Sequence, residues 1–118
     1  MHELAVCQGL MGQLEEIAER ERAERVTRIR LQIGPLSGVE PQLLGDAFPI
    51  AAAGTLAEHA TLEIDDQPVR VRCLSCGAES DATPNNLLCR QCGDFRTQLV
   101  SGDEMLLLSV ELERRESA

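Results

Sequence analysis

Cys73-Leu74-Ser75-Cys76-Gly77 and Cys89-Arg90-Gln91-Cys92-Gly93 are one five-residue device used twice, with twelve residues between Cys76 and Cys89. Two residues between cysteines let both sulfurs face one point while amides of the turn donate hydrogen bonds to thiolate. A glycine directly after the second cysteine admits the positive φ that such a knuckle needs. Two knuckles supply four sulfurs, the tetrahedral set that Zn²⁺ takes at about 2.3 Å. A closed four-sulfur site has no open position for water, so its first role is structural. Iron in a rubredoxin-like electron carrier uses the same paired knuckles, and disulfides would use the same residues. The iron carrier comes with an aromatic-rich, shielded core, whereas Phe95 is the single aromatic residue in this stretch. Metal binding contributes on the order of 10 kcal/mol to folding, enough to hold a segment with little core material.

The rest of the composition excludes several function classes. The chain has 118 residues, with 11 basic side chains against 20 acidic ones and a net charge of −9. All the basic residues are arginine. A strongly acidic chain is a poor binder of phosphate backbones, and two aromatics, Phe48 and Phe95, supply no stacking platform for single strands. Without lysine there is no Schiff-base or P-loop lysine chemistry, and no nucleophile–base constellation stands out. We therefore expect no enzyme. No apolar run reaches the roughly 18 residues of a membrane span, and Met1-His2-Glu3 is not the positively charged start of a signal peptide. These features predict a cytoplasmic protein without nucleic-acid or membrane partners, where cysteines read as metal ligands before disulfides. Four thiolates around one Zn²⁺ would add two negative charges, offset locally by Arg70, Arg72, Arg90 and Arg96.

Periodicity predicts an α+β fold. Leu4, Cys7, Met11, Leu14 and Ala18, widened by Leu10 and Ile17, form the apolar stripe of an opening helix. Glu16–Arg20 and Glu21–Arg25 have the spacing of helical ion pairs. From Val26 the period changes: Ile29, Leu31 and Ile33 alternate with Arg28, Arg30 and Gln32, a strand with one face buried, ended by Gly34-Pro35. A second helix follows Pro41, with Leu43, Leu44, Ala47, Phe48 and Ala51 on its apolar face; Pro49 should kink or split it. Leu62 and Ile64 mark another strand. A last strand, Met105 to Leu112, carries Leu106, Leu108, Val110 and Leu112 on one face and Leu107 on the other, which suggests a strand partly covered on both sides. Turn signals flank the cysteine segment. The expected architecture is two helices packed on a small three-stranded sheet, residues 1–68 and 103–118, interrupted by a zinc-ribbon-like module, residues 69–102.

The amino terminus is the second unusual feature. Met1-His2 offers a free amine, the intervening backbone amide and an imidazole within one short stretch, a nitrogen set that can wrap a square-planar ion such as Ni(II) or Cu(II). The amine titrates near pH 8 and the imidazole near 6.5, so such binding weakens on acidification. The plainer reading of His2 is a surface residue, and of Glu3 and Glu40 solvated carboxylates. His59 reads as an exposed loop residue and Cys7 as core.

Met1-His2-Glu3-Leu4-Ala5-Val6-Cys7-Gln8, together with an α/β body interrupted by the two Cys-x2-Cys pairs, resembles the HypA/HybF family of hydrogenase-maturation nickel chaperones over essentially the whole chain. The resemblance implies Ni(II) held weakly at the amino terminus and Zn(II) held tightly and structurally in the insert. By that similarity the nickel-binding residues are Met1, His2, Glu3 and Glu40. His2 would give imidazole and backbone nitrogen and Glu3 a backbone nitrogen. Glu40 stands as the longer acid where relatives often have Asp. The zinc ligands would be Cys73, Cys76, Cys89 and Cys92. Ser75 and Leu88 stand where some relatives carry histidines. The partners implied are a HypB-type nickel GTPase and the [NiFe]-hydrogenase large subunit precursor, with urease accessory proteins in some organisms, for a chain acting as monomer or homodimer.

Overall fold

The apolar stripe of the opening segment forms helix α1 (His2–Glu21), which buries Cys7, Leu10, Met11, Leu14 and Ala18. The computed structural model describes residues 2–114. Arg22, at φ 56, takes the left-handed turn that ends α1, a place usually left to glycine or asparagine. The chain then enters β1 (Ala23–Ile33), whose residues Val26, Ile29, Leu31 and Ile33 are buried. Because β1 begins at Ala23, Arg25 is not a helical partner of Glu21. It pairs instead with Glu113 at 3.1 Å, and Glu21 accepts from Arg114 at 3.0 Å.

Helix α2 (Pro41–Ala52) starts with proline in its first turn and continues through Pro49 as one element. Pro49 lies on the exposed side of the helix, where the carbonyl left without a donor can turn to water. Leu44, Phe48 and Ala52 form the buried side of α2. A turn-rich stretch holding the exposed His59 leads into β2 (Thr61–Asp66). Strands β3 (Arg70–Cys73), β4 (Glu79–Asp81) and β5 (Thr97–Ser101) precede β6 (Met105–Arg114).

Two three-stranded sheets result, in the orders β2-β1-β6 and β4-β3-β5. The fold is α+β, as the periodicity indicated. Central position explains the burial of β1. Its wet face carries Arg28, which pairs with Glu63 of β2. Strand β6 is partly covered on both faces, with Leu107 half-buried on one and Val110 and Leu112 on the other. Its first residues are less covered than their leucines suggest: Leu106 and Leu108 are 52% and 44% exposed, and Met105 is exposed as well. In the second sheet β3 pairs antiparallel with both neighbours. Its register sets Arg70 opposite Asp81 and Arg72 opposite Glu79, and both pairs form ion pairs across the strands.

The chain divides into two compact units. One takes in the chain up to Leu31, Glu40–Ile64 and the chain from Leu107; the other is Gln32–Val39 with Asp65–Leu106. The core of the first is built from α1, α2 and β1, around the fully buried Leu14, Val26, Ile29 and Leu44. In the second unit the buried apolar side chains are few: Ile33, Val39, Val69, Val71, Cys73 and Cys89. That is little cover for some fifty residues, and two members of the set are cysteines. No helix among the described residues is long and apolar enough to cross a membrane.

Candidate metal centres

Each knuckle is closed by the same two backbone hydrogen bonds. The Gly77 N–H donates to the Cys73 carbonyl at 3.0 Å and the Cys73 N–H to the Ala78 carbonyl at 2.9 Å. In the second copy Gly93 donates to Cys89 at 2.8 Å and Cys89 to Asp94 at 3.0 Å. Gly77 and Gly93 have φ of 77 and 79, the left-handed conformation inferred from their position after Cys76 and Cys92. The turns aim amides at sulfur: Ser75 and Cys76 donate to Cys73 Sγ at 3.3 and 3.4 Å, and Cys92 donates to Cys89 Sγ at 3.5 Å.

The four sulfurs converge. Cys73 Sγ lies 3.6 Å from Cys92 Sγ and Cys76 Sγ 3.7 Å from Cys89 Sγ, and all four lie within 4.8 Å of one another. A bonded pair of sulfurs would stand about 2.05 Å apart, so the disulfide reading fails; all five cysteines are free. Sulfurs at the corners of a tetrahedron with metal–sulfur distances of about 2.3 Å stand about 3.8 Å apart. The thiolate set therefore fits a zinc ion. Phe95 is 77% exposed and shields nothing, which removes the aromatic wall an iron carrier relies on.

The electrostatics of the cluster call for a cation. Amide donation, from Cys76 first and then Ser75, outweighs burial and lowers the Cys73 thiol to about 7. The Cys92 amide likewise lowers Cys89. Cys92 goes the other way. The Asp94 amide pulls its thiol down, but the hydrogen-bonded Cys73, burial and the other two sulfurs together push it up to about 12. Four thiolates cannot share this space without positive charge among them. Of the arginines expected to offset that charge, Arg96 is stabilised in its charged form by Asp94 first and also by Cys73 and Cys92, whereas Arg70 pairs with Asp81 and Arg72 with Glu79.

Sequence reasoning missed a polar clasp between the knuckles. Asp94 accepts from the Ser75 hydroxyl of the first knuckle and from the Arg96 guanidinium at 3.0 Å. Leu74 N–H donates to the Arg96 carbonyl at 2.8 Å. Arg96 and then Ser75 hold the Asp94 carboxyl well below the usual carboxylate range. Ser75 thus stands in a hydrogen-bonding role beside the cluster. Asp94 lies just past the second five-residue copy, so comparing the two copies gave no hint of this contact.

The candidate nickel residues lie in the first unit. His2 is the exposed first described residue of α1, and Met1 lies outside the described residues. Glu3 and Glu40 are brought together, with the Glu40 N–H donating to Glu3 Oε2 at 3.3 Å. Glu40 is exposed, as a solvated carboxylate should be, but Glu3 is buried at 8% exposure. The Glu40 amide, followed by its own, lowers the Glu3 carboxyl from its ordinary value. The signal was present, since Glu3 precedes Cys7 by one helical turn and extends the apolar stripe. Cys7 is fully buried, its thiol raised by desolvation, and is core as anticipated.

A small α+β chain whose four cysteine sulfurs converge on one point belongs to the class of metal-binding proteins with a zinc-type thiolate site. The sequence model of the HypA family, described as hydrogenase/urease nickel incorporation, metallochaperone, matches residues 1–112; the chain belongs to that family. A hydrogenase maturation factor HypA from Nitrosospira multiformis is 50% identical over 112 residues, covering 95% of this chain and 97% of the relative. Another from Aquifex aeolicus is 42% identical over 113 residues, 96% of this chain and 98% of the relative. The solution structure of the Ni metallochaperone HypA from Helicobacter pylori superposes with a TM-score of 0.66 at 29% identity, over 96% of this chain and 98% of that one. A further solution structure of HypA protein gives 0.72 at 29% identity, over 98% of both chains.

Proposed function

We propose that this chain carries Ni(II) at its amino terminus and delivers it for maturation of [NiFe]-hydrogenase, with Zn(II) as a structural ion. Nickel is the cargo. His2 would supply imidazole and backbone nitrogen, Met1 its amine, Glu3 a backbone nitrogen and Glu40 a carboxylate. Cys73, Cys76, Cys89 and Cys92 would hold zinc, which supplies the cross-link on which the poorly cored insert depends. We assign nickel handling to residues 1–68 with 103–118 and zinc binding to residues 69–102. The recipient is the hydrogenase large subunit precursor, reached with a HypB-type GTPase in the cytoplasm. Urease is a second recipient through its accessory proteins. The carrier works as a monomer or homodimer.

The observation that carries the reading is the approach of Glu3 to Glu40, residues 37 positions apart, at the start of α1 beside His2. The amide groups of a helix's first turn have no partners within the helix, so a metal that takes backbone nitrogens there breaks no helical hydrogen bond. The test is calorimetric titration of Ni(II) into zinc-loaded protein and its His2→Ala variant. Stoichiometric binding should vanish while zinc content and fold persist. Retained nickel affinity in that variant would refute the assignment.

A further inference from the structure

We propose that the Glu3 side chain is a positioning residue for nickel and not a nickel donor: its buried carboxylate holds the backbone of Glu40 and so fixes where the Glu40 carboxylate stands. This inference rests on the proposed nickel site, with Glu40 as one of its ligands.

Two polar contacts join α1 to α2, and both span 37 positions. The Glu40 N–H donates to Glu3 Oε2 at 3.3 Å, and the Cys7 thiol donates to the Leu44 carbonyl at 3.6 Å. Glu3 and Cys7 are one helical turn apart on α1, as are Glu40 and Leu44 at the start of α2. The contacts are therefore successive rungs of one ladder, and they set the register of the first turn of α2 against the first turn of α1. Leu44 N–H closes that turn onto the Glu40 carbonyl at 2.9 Å, so Glu40 is held through both its backbone groups.

Glu40 is the N-cap of α2 but makes no capping hydrogen bond with its own side chain. Pro41, next in line, has no N–H to offer. The start of α2 is thus fastened from outside by Glu3, and the Glu40 carboxylate is left exposed and uncommitted to capping. Glu3 has the opposite disposition. At 8% exposure its charge is tolerable because hydrogen-bond donors satisfy it, the Glu40 amide first among them. Its Oε2 is engaged by the Glu40 N–H, so a metal that took that oxygen would leave the amide without its partner. Holding is the role the geometry favours.

Ni(II) titration of zinc-loaded protein tests this with Glu3→Gln, Glu3→Ala, Glu40→Ala and the Glu3→Ala/Glu40→Ala double variant. Glutamine keeps a carbonyl oxygen for the Glu40 N–H but no anionic donor for a metal, so Glu3→Gln should bind nickel close to the parent. Glu3→Ala should lose about 10- to 100-fold, the usual penalty for removing a group that orients a ligand. The double variant should bind no worse than Glu40→Ala alone, because Glu3 acts through Glu40. Exchange of the Glu40 amide proton should accelerate in Glu3→Ala and not in Glu3→Gln. The proposal is overturned if Glu3→Gln falls as far as Glu3→Ala, if the two alanine losses add, or if Glu3→Ala binds like the parent. Should Glu3→Ala lose its fold, the comparison of Glu3→Gln with Glu40→Ala decides: parental affinity in the first and loss in the second support the proposal, and equal loss overturns it. Failure of the underlying site is a different result, parental affinity in His2→Ala.

Discussion

Replacing Gly34 by alanine should be the most damaging single methyl addition in the chain. A Cβ at Gly34 would stand 2.1 Å from the Gly102 carbonyl oxygen, 2.3 Å from its carbon and 2.7 Å from Glu104 Oε1. A carbon and a carbonyl oxygen rest no closer than about 3.3 Å, so the two backbones must part by about 1 Å. The atoms that would move carry three short hydrogen bonds. Gly34 N–H donates to the Glu104 carbonyl at 2.8 Å, Leu36 N–H to the Gly102 carbonyl at 2.7 Å, and Gly102 N–H to Glu104 Oε1 at 2.9 Å. Gly102, at φ 121, is itself a position for glycine, since a Cβ there would stand 3.0 Å from Val69. Losing two or three hydrogen bonds at about 1 kcal/mol each, plus overpacking strain of about 1–3 kcal/mol, gives a cost of about 3–6 kcal/mol. With an unfolding entropy of about 2.1 cal/mol/K per residue, that lowers the melting temperature by roughly 12–24 °C. Thermal unfolding of the zinc-loaded proteins followed by circular dichroism measures it. The cysteines are untouched, so zinc content should stay at one equivalent per chain. A melting temperature unchanged from the parent would show that the Gly34–Gly102 crossing is not the tight contact described.

Three further outcomes follow from the same geometry. Gly45→Ala, on the exposed side of α2 with nothing within 4 Å of the added carbon, should stabilise the chain by about 0.5–1 kcal/mol in urea unfolding. Cys76→Ser should lower zinc retention against a chelator and, in two-dimensional NMR, collapse the amide signals of Asp65–Leu106 while those of α1 and α2 persist; an ordered insert without metal would contradict the dependence argued here. Glu3, lowered from an ordinary value of 4.5 by the amides of Glu40 and itself, contributes stability that is complete above pH 4.5 and is lost as pH falls through its folded-state value. Carboxyl NMR should therefore place its titration midpoint below 4.5, and a midpoint at or above that value would sink the argument.

The zinc centre was legible because its information is local. Each knuckle folds through hydrogen bonds within six residues, Cys73 to Ala78 and Cys89 to Asp94, and the spacing of cysteines and glycines encodes them directly. The stripe of α1 and the alternation of β1 were readable for the same reason, as periodicities along one element. What escaped was set by neighbours. The even leucines of β6 look alike in sequence, yet Leu112 is half-buried while Leu106 and Leu108 are exposed, and the strand order β2-β1-β6 that makes β6 an edge is not written in its own residues. Asp94 and Ser75 are ordinary polar residues until folding sets one against the other across the knuckles. Glu3 reads as a solvated acid by residue type, and its burial depends on the partner it finds at Glu40.

The same division would separate how the two proposed metals are held. The cysteines proposed for zinc have a geometry fixed by turns built around them, with amides already aimed at sulfur; a metal held this way would be costly to remove and would serve the fold. The residues proposed for nickel come from the start of one helix, where His2 is exposed, and the exposed cap of another, joined by a hydrogen bond of 3.3 Å and a thiol contact one turn deeper. Little reorganisation is needed to open such a site, and the helices below it keep their core, from Leu14 to Leu44 and Phe48, whether or not cargo is present. A carrier needs that asymmetry. Grip that depends on the fold's own integrity suits a resident ion, while grip that depends on one latch between two helix ends suits an ion meant to leave. On this reasoning the acidic surface raises the local concentration of cations without supplying competing sites of comparable order. Among the described residues, the four cysteines form the one group of three or more histidine, cysteine, aspartate or glutamate side chains whose donor atoms converge.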